Sequence, residues 1–336
     1  MSHSARSLFL ILFLVLVGRS ALPQEAGPVI PPMLAAPSTP STAFVRSPSA
    51  SSVEHWDKLS LRDNDLHPDP PTPGQIDAFP GFTRELLRVQ WRGGDPIDLY
   101  VIRPAGVAKP PVILYLYSYP AESDRYQNTA FCKTVTKDGY AAVGFVSALT
   151  GQRYHDRPMK EWFVSELQES LATSVHDVQM VLNYLATRGD LDMSRAGIFG
   201  QGSGGPIAIL SAAVDPRLKA LDVMDPWGDW QAWLAESPLI PEHERAAYLD
   251  SGFLARVAPL DPLAWLPQLH GRAFRLQQNL FNQAVPDTVR KQFEASAAGK
   301  AVIVEYRDIN EYKEKVSSNG RMLDWIESQL IPVTDR

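Results

Sequence analysis

Residues 111–117 read Pro-Val-Ile-Leu-Tyr-Leu-Tyr, an apolar run with no alternation. A strand of that kind is buried on both faces, and a sheet layered between helices buries it that way. Ala141 to Val146 and Leu221 to Met224 repeat the pattern. Between them, Ser165 to Arg188 carries Leu167, Leu171, Val175, Val178, Val181, Leu182 and Leu185 at spacings of three and four, the period of an amphipathic helix. Upstream, Phe82 to Arg92 and Ile97 to Arg103 flank Gly93-Gly94-Asp95 and read as an antiparallel hairpin. Downstream come a short strand, Ala196 to Phe199, and an apolar helix, Pro206 to Val214, whose proline suits a first turn. Asp225 to Gln268 reads as irregular and tryptophan-rich. Ala273 to Gln277, a helix from Asp287 to Ala298, Val302 to Tyr306 and a helix from about Ser318 to Leu330 follow. The order implies an α/β fold: a mostly parallel central sheet, helices on both faces, and an N-terminal antiparallel hairpin.

The N-terminal part has a different texture. Arg6, an apolar run from Leu8 to Val17, and Gly18-Arg19-Ser20 have the form of a cleavable signal peptide, residues 1–20. The run is too short to span a bilayer about 30 Å thick. The expectation is therefore a secreted or periplasmic protein with no stable membrane span once the signal is removed. Residues 21–78, with Pro23, Pro28, Pro31, Pro32, Pro37, Pro40 and Pro48 among Ser, Ala and Thr, read as a disordered tether. One domain is then expected over 79–336, with a cap inserted at 226–268. The formal net charge of −6 and the lack of a basic block leave no footprint for nucleic acid. A single cysteine, Cys132, excludes an internal disulfide and any cysteine-rich metal site.

The passage that carries chemistry is 195–206, Arg-Ala-Gly-Ile-Phe-Gly-Gln-Gly-Ser-Gly-Gly-Pro. A strand runs into a glycine-rich turn that opens a helix. One mechanism using that geometry is the nucleophile elbow, where a strained turn lifts a serine above the sheet and the next backbone N–H stabilises an oxyanion. Together with PVILYLYSYP at 111–120, LNYLATRGDLDMSRAGIFGQGSGG at 182–205, LDPLAWLPQL at 260–269 and Asn282-Gln283-Ala284-Val285-Pro286, the turn resembles the α/β-hydrolase superfamily, in particular its secreted esterase and prolyl-peptidase-like branches. The other mechanism is dinucleotide binding. Gly200-x-Gly202-x-x-Gly205 follows a strand and opens a helix, and Asp225 lies where a ribose-binding acid would. That fingerprint normally opens its domain, whereas strands already precede it here, so an NAD-binding oxidoreductase is the lesser alternative.

The resemblance implies a serine, an acid and a histidine, and the chain departs at each place. The elbow centre falls on Gly202, with Gly200, Gln201 and Gly204 around it and Ser203 one residue late. A one-residue shift moves the Cα by about 3.8 Å and redirects the side chain. Ser203 is either a displaced nucleophile or a local hydrogen-bonding group at the helix start, and the second reading is adopted. Asn282 occupies the usual acid position, and Asp225 fits the location that some branches use one strand earlier. The histidine should follow the last strand, where Asn310 stands instead. The seven histidines end at His270. His155 follows a strand and lies at the correct sheet edge; His243 lies in the insertion. Either is a substitute base for Ser203 and Asp225. The oxyanion loop reads Tyr117-Ser118-Tyr119-Pro120, and the proline has no N–H to donate.

These departures together point to a catalytically degenerate hydrolase, a pseudoenzyme, that binds a small-molecule or peptide ligand or a partner. An active ester or peptide hydrolase using Ser203 is the alternative. Trp227 and Trp230 could line a cap pocket, or the spacing of three that they share with Trp233 could pack one helical face. No cofactor is implied. Asp and Glu are scattered without metal-ligand spacing, so no metal centre is expected.

Overall fold

The computed structural model describes residues 58–61, 68–92, 95–118, 124–147, 164, 167–317 and 323–331. The expected signal peptide and most of the expected tether lie outside the described residues. Residues 51–336 make one compact unit.

Nine strands form one sheet: β1 (Thr72–Phe79), β2 (Phe82–Val89), β3 (Ile97–Pro104), β4 (Pro111–Leu116), β5 (Ala141–Phe145), β6 (Asp192–Gln201), β7 (Leu218–Met224), β8 (Ala273–Asn279) and β9 (Val302–Tyr306). Their spatial order is β1-β2-β3-β5-β4-β6-β7-β8-β9. The first three pair antiparallel, β3 meets β5 antiparallel, and the rest are parallel. Every residue of β4 is buried, as its uninterrupted apolar run requires. Along it Val112, Leu114 and Leu116 join one hydrophobic cluster and Ile113, Tyr115 and Tyr117 the other, because successive side chains point to opposite faces.

The first cluster lies under α3 (Leu167–Ala186), α4 (Gly204–Val214) and α9 (Asp287–Ala297). The second lies under α2 (Thr129–Thr136), preceded by the single turn α1 (Asp124–Gln127), and α11 (Asp324–Gln329). Asn128 starts α2 by accepting from the Ala130 and Phe131 amides at 2.9 and 3.0 Å, a cap worth about 1 kcal/mol. A short α10 (Ile309–Tyr312) follows β9.

Two expectations are corrected. The tether does not extend to residue 78, because β1 already pairs with β2 from Thr72 onward. Its sequence, TPGQIDAF, is polar and mostly exposed, so it lacks the hydrophobic signal of a strand and is held by its ladder instead. Register slips between Pro73 and Ile76, and a Cβ on Gly74 would come within 2.8 Å of the Leu86 carbonyl oxygen. Further upstream, Leu59 and Leu61 are buried. Gln179 of α3 holds them, accepting from the Leu61 amide (2.8 Å) and donating to the Leu59 carbonyl (2.7 Å). His176 bonds the Lys58 carbonyl at 2.9 Å. This strap accounts for the buried His176 and Gln179 of α3, whose buried Asp177 is held instead by Trp91 Nε1 (2.9 Å) and Arg92 (3.3 Å).

The second correction concerns 225–268, which is helical rather than irregular: α5 (Trp230–Glu236), α6 (Glu242–Tyr248), α7 (Ser251–Val257) and α8 (Pro262–Trp265). Asp261 ties the ends of this segment together. Its carboxylate accepts from the Asp229, Trp230 and Leu263 amides at 3.1, 2.9 and 3.0 Å.

Below the turn that follows β6, a buried polar ladder links three strands. Arg275 donates to both Asp222 oxygens at 3.0 and 2.6 Å, Gln277 donates to Asp222 at 2.9 Å, and Tyr306 donates to Gln277 at 2.8 Å. Burial raises the Asp222 carboxyl above the usual range, against the opposing pull of Arg275.

Candidate functional site

The glycines of the β6–α4 turn are there for close approach. An added Cβ on Gly200 would lie 2.5 Å from the Gly204 oxygen and 2.7 Å from Ala208 Cβ. One on Gly204 would meet the Leu116 oxygen at 2.2 Å, and one on Gly205 would meet Pro226 Cα at 2.7 Å. Strand, helix and the β7 exit therefore pack backbone to backbone. Gly202, at the apex, has φ +55. Its amide donates to the Met224 carbonyl (3.0 Å), and its own carbonyl accepts from Gly205 (3.0 Å) and Trp227 (3.3 Å). A Cβ there would lie 2.4 Å from Ser118 Oγ and 2.8 Å from Ser118 Cβ. The space that a side chain at 202 would take is filled by Ser118, which follows β4. Gln201 is half-buried at the end of β6.

Ser203 is 1% exposed and has helical backbone, φ −65 and ψ −23. Its side chain makes no capping hydrogen bond to α4.

Asp225 and Asn282, read separately as alternative acid positions, are brought together. Asp225 is 3% exposed with φ +49. Its carboxylate accepts from the Asn279 amide (2.7 Å), Asn279 Nδ2 (2.6 Å) and Asn282 Nδ2 (2.9 Å). Burial raises its pKa, opposed by these N–H groups and by the charge of Arg290. All three direct donors are neutral amides, which hold the carboxylate and the β8 loop but carry no exchangeable proton for catalysis at neutral pH. Arg290 in turn donates to the Asn282 carbonyl.

Asn310 is exposed in α10, whose start is capped by Asp308 accepting from the Asn310 and Glu311 amides at 2.8 and 3.0 Å. Of the histidines, three are described. His176 is on the strap contact, His243 on α6 is 82% exposed at its side chain, and His270 is exposed before β8, at the strand edge opposite the turn. His155 and Tyr119 lie outside the described residues.

Tyr117, one residue past β4, is buried among Tyr115, Tyr126, Phe131 and Phe199. The Arg125 guanidinium stands 4.1 Å from its ring centre. Its hydroxyl is buried, and burial pushes its pKa up against the opposing pull of Arg125. Asn279 Oδ1 is buried without a hydrogen-bond partner. Tyr312 of α10 packs on Tyr306 and Phe281, at ring separations of 5.5 and 6.3 Å.

The tryptophans are structural anchors. Trp227 and Trp233 stack at 4.6 Å, Trp230 meets Trp233 edge-on at 6.0 Å, and all three are buried. Trp230 donates to the Leu260 carbonyl (3.1 Å), so it belongs to the core rather than to a pocket wall. Trp227 alone approaches the apex, its Nε1 lying 3.6 Å from where a Cβ on Gly202 would stand.

Ser118, Asn279, Arg290 and Tyr312 carried no role in the sequence reading. The one signal was that Ser118 directly follows an apolar strand, at the edge where the other candidates lie.

The sheet order, the two helical layers and the strand-turn-helix at β6–α4 define an α/β-hydrolase fold, and solved structures agree. The chain is similar to an acetyl xylan esterase from Paenibacillus sp. R4, with 16% identity and TM-score 0.60 over 81% of this chain and 92% of that one. It is also similar to acetyl xylan esterase 1 from Thermoanaerobacterium sp. JW/SL YS485, with 14% identity and TM-score 0.56 over 75% and 86%. Against the acylaminoacyl peptidase of Pyrococcus horikoshii the values are 15% and 0.52, over 77% of this chain and 49% of that one. No family model and no curated protein matches the sequence. The chain thus has the α/β-hydrolase fold shared by esterases and peptidases.

Proposed function

We propose that this chain is an exported α/β-hydrolase-fold protein that has lost serine-hydrolase chemistry and binds a small-molecule or peptide ligand at the former catalytic edge. The observation that carries this reading is Gly202. It holds the left-handed apex between β6 and α4 where the fold would raise a nucleophile, and Ser118 fills the space a side chain would need. Asp225, bonded to amides of Asn279 and Asn282, supports the same reading because no base is among its partners in the described residues. Asn279 Oδ1, buried without a hydrogen-bond partner beside Asp225, is a polar group that a ligand at that edge could satisfy. The Asp225 bonds also oppose a dinucleotide reading, since the acid that would take a ribose hydroxyl is buried and engaged.

The test is a fluorophosphonate probe and a nitrophenyl ester, applied to the full-length protein and to Ser203→Ala. The expected result is no covalent labelling and no turnover in either. Labelling that disappears in Ser203→Ala, together with ester turnover, would overturn the proposal in favour of an active ester or peptide hydrolase. Export is tested separately by the mass of the protein recovered outside the cytoplasm, expected to begin after Ser20.

A further inference from the structure

We propose that Asp138, Asp324 and Glu327 form a binding site for a hard divalent cation, with calcium as the best fit, at the sheet edge opposite the Gly202 turn. The three come from two places. Asp138 lies in the turn that joins α2 to β5, and Asp324 and Glu327 lie on α11. The three side chains each offer an oxygen within 4.8 Å of the others. Three oxygens each about 2.4 Å from one calcium ion would stand about 3.4–4.2 Å apart, so the cluster needs little adjustment.

The independent observation is Glu327. It is 6% exposed, and its Oε1 is buried without a hydrogen-bond partner. Its backbone is fixed, since Tyr140 Oη donates to its carbonyl at 2.8 Å. A buried carboxylate facing two further carboxylates is unfavourable until positive charge enters the site. Among the described residues the cation paired there is Lys137, with Nζ 3.3 Å from Asp138 Oδ2 and 3.9 Å from Asp324 Oδ1. Its charge also acts on Glu327, and its side chain is 38% exposed, so one exposed ammonium is set against three acids. Oxygen-only ligands select a hard cation over zinc or copper. With Asp138 and Asp324 exposed, water completes the coordination on the open side. Bound there, the ion would clamp the last described helix to the α2–β5 turn.

Scattered Asp and Glu without metal-ligand spacing gave no expectation of a metal centre; the fold brings Asp138 to Asp324 and Glu327, which are three residues apart.

The test titrates the full-length protein with calcium chloride by calorimetry and with manganese chloride by electron paramagnetic resonance, and follows Tm against calcium concentration. One site is expected, with a Kd of about 10⁻⁴–10⁻³ M and a Tm that rises with calcium. Asp138→Asn and Asp324→Asn alter exposed positions and keep the fold; each is expected to weaken binding about tenfold by removing a charged ligand. Lys137→Ala is expected to tighten it by removing the competing ammonium. No binding of either ion at millimolar concentration, or binding that both aspartate variants leave unchanged, would overturn the proposal and leave Lys137 as the cluster's counter-ion.

Discussion

A side chain at position 202 meets two obstacles of different kind. The backbone is left-handed, φ +55, which penalises any residue with a Cβ by about 1–2 kcal/mol. The Ser118 hydroxyl stands 2.4 Å from that Cβ, a contact that only movement can relieve. Gly202→Ser should therefore lower stability by more than the backbone term alone, and adding Ser118→Gly should recover the steric part. Urea denaturation of the two single variants and the double variant would give the coupling. Strict additivity would mean that the two positions do not compete for space. The sequence displayed half of this arrangement. Gly202, Asp225 and Asn282 could be picked out because each stands at the end of a recognisable strand or turn. Ser118 could not, since it reaches Gly202 only because β4 lies beside β6 in the sheet, and neighbour order is not written in local pattern. Nor could the bonds of Asp225 to Asn279 and Asn282 be foreseen, because they depend on how the β8 loop turns back.

The elements with clear apolar texture were legible: β4, β5, β9 and α3 fall within a few residues of where periodicity put them. Those missed have weak texture for physical reasons. The helices α5, α6 and α7 are seven residues each, two turns, too short for a 3.6-residue period to declare itself. Residues 58–61 look like tether because their few apolar groups become meaningful only against α3. Gln179→Ala removes both hydrogen bonds to that strap and leaves the Leu61 amide and Leu59 carbonyl buried without them. A loss of about 1–3 kcal/mol is expected, with faster proteolysis between the strap and β1 at native conditions. An unchanged proteolysis rate would mean the strap contributes nothing to holding the N-terminal segment.

Across the whole molecule, stability depends on keeping charge balanced inside the sheet. Asp222 and Arg275 are both buried, and Arg275→Met would strand the Asp222 carboxylate. The expected loss is about 3–5 kcal/mol by urea denaturation, largely restored when Asp222→Leu is added, since an apolar pair of similar volume avoids the desolvation of both charges. A single variant as stable as the parent would mean that Asp222 is already neutral in the folded chain. The sheet also has two outer strands, β1 and β9, and β1 bears on how the molecule behaves among copies of itself. An outer strand offers its open backbone as a template for a neighbour's strand. Along β1, Pro73 has no N–H to lend, the slip beside it breaks the repeat, and Gly74 lies hard against the Leu86 carbonyl. A second copy trying to extend the ladder there would lose registry within a few residues. The polar, irregular strand that hides from pattern recognition is thereby a poor template for fibrous growth, built from residues that neither bind nor catalyse.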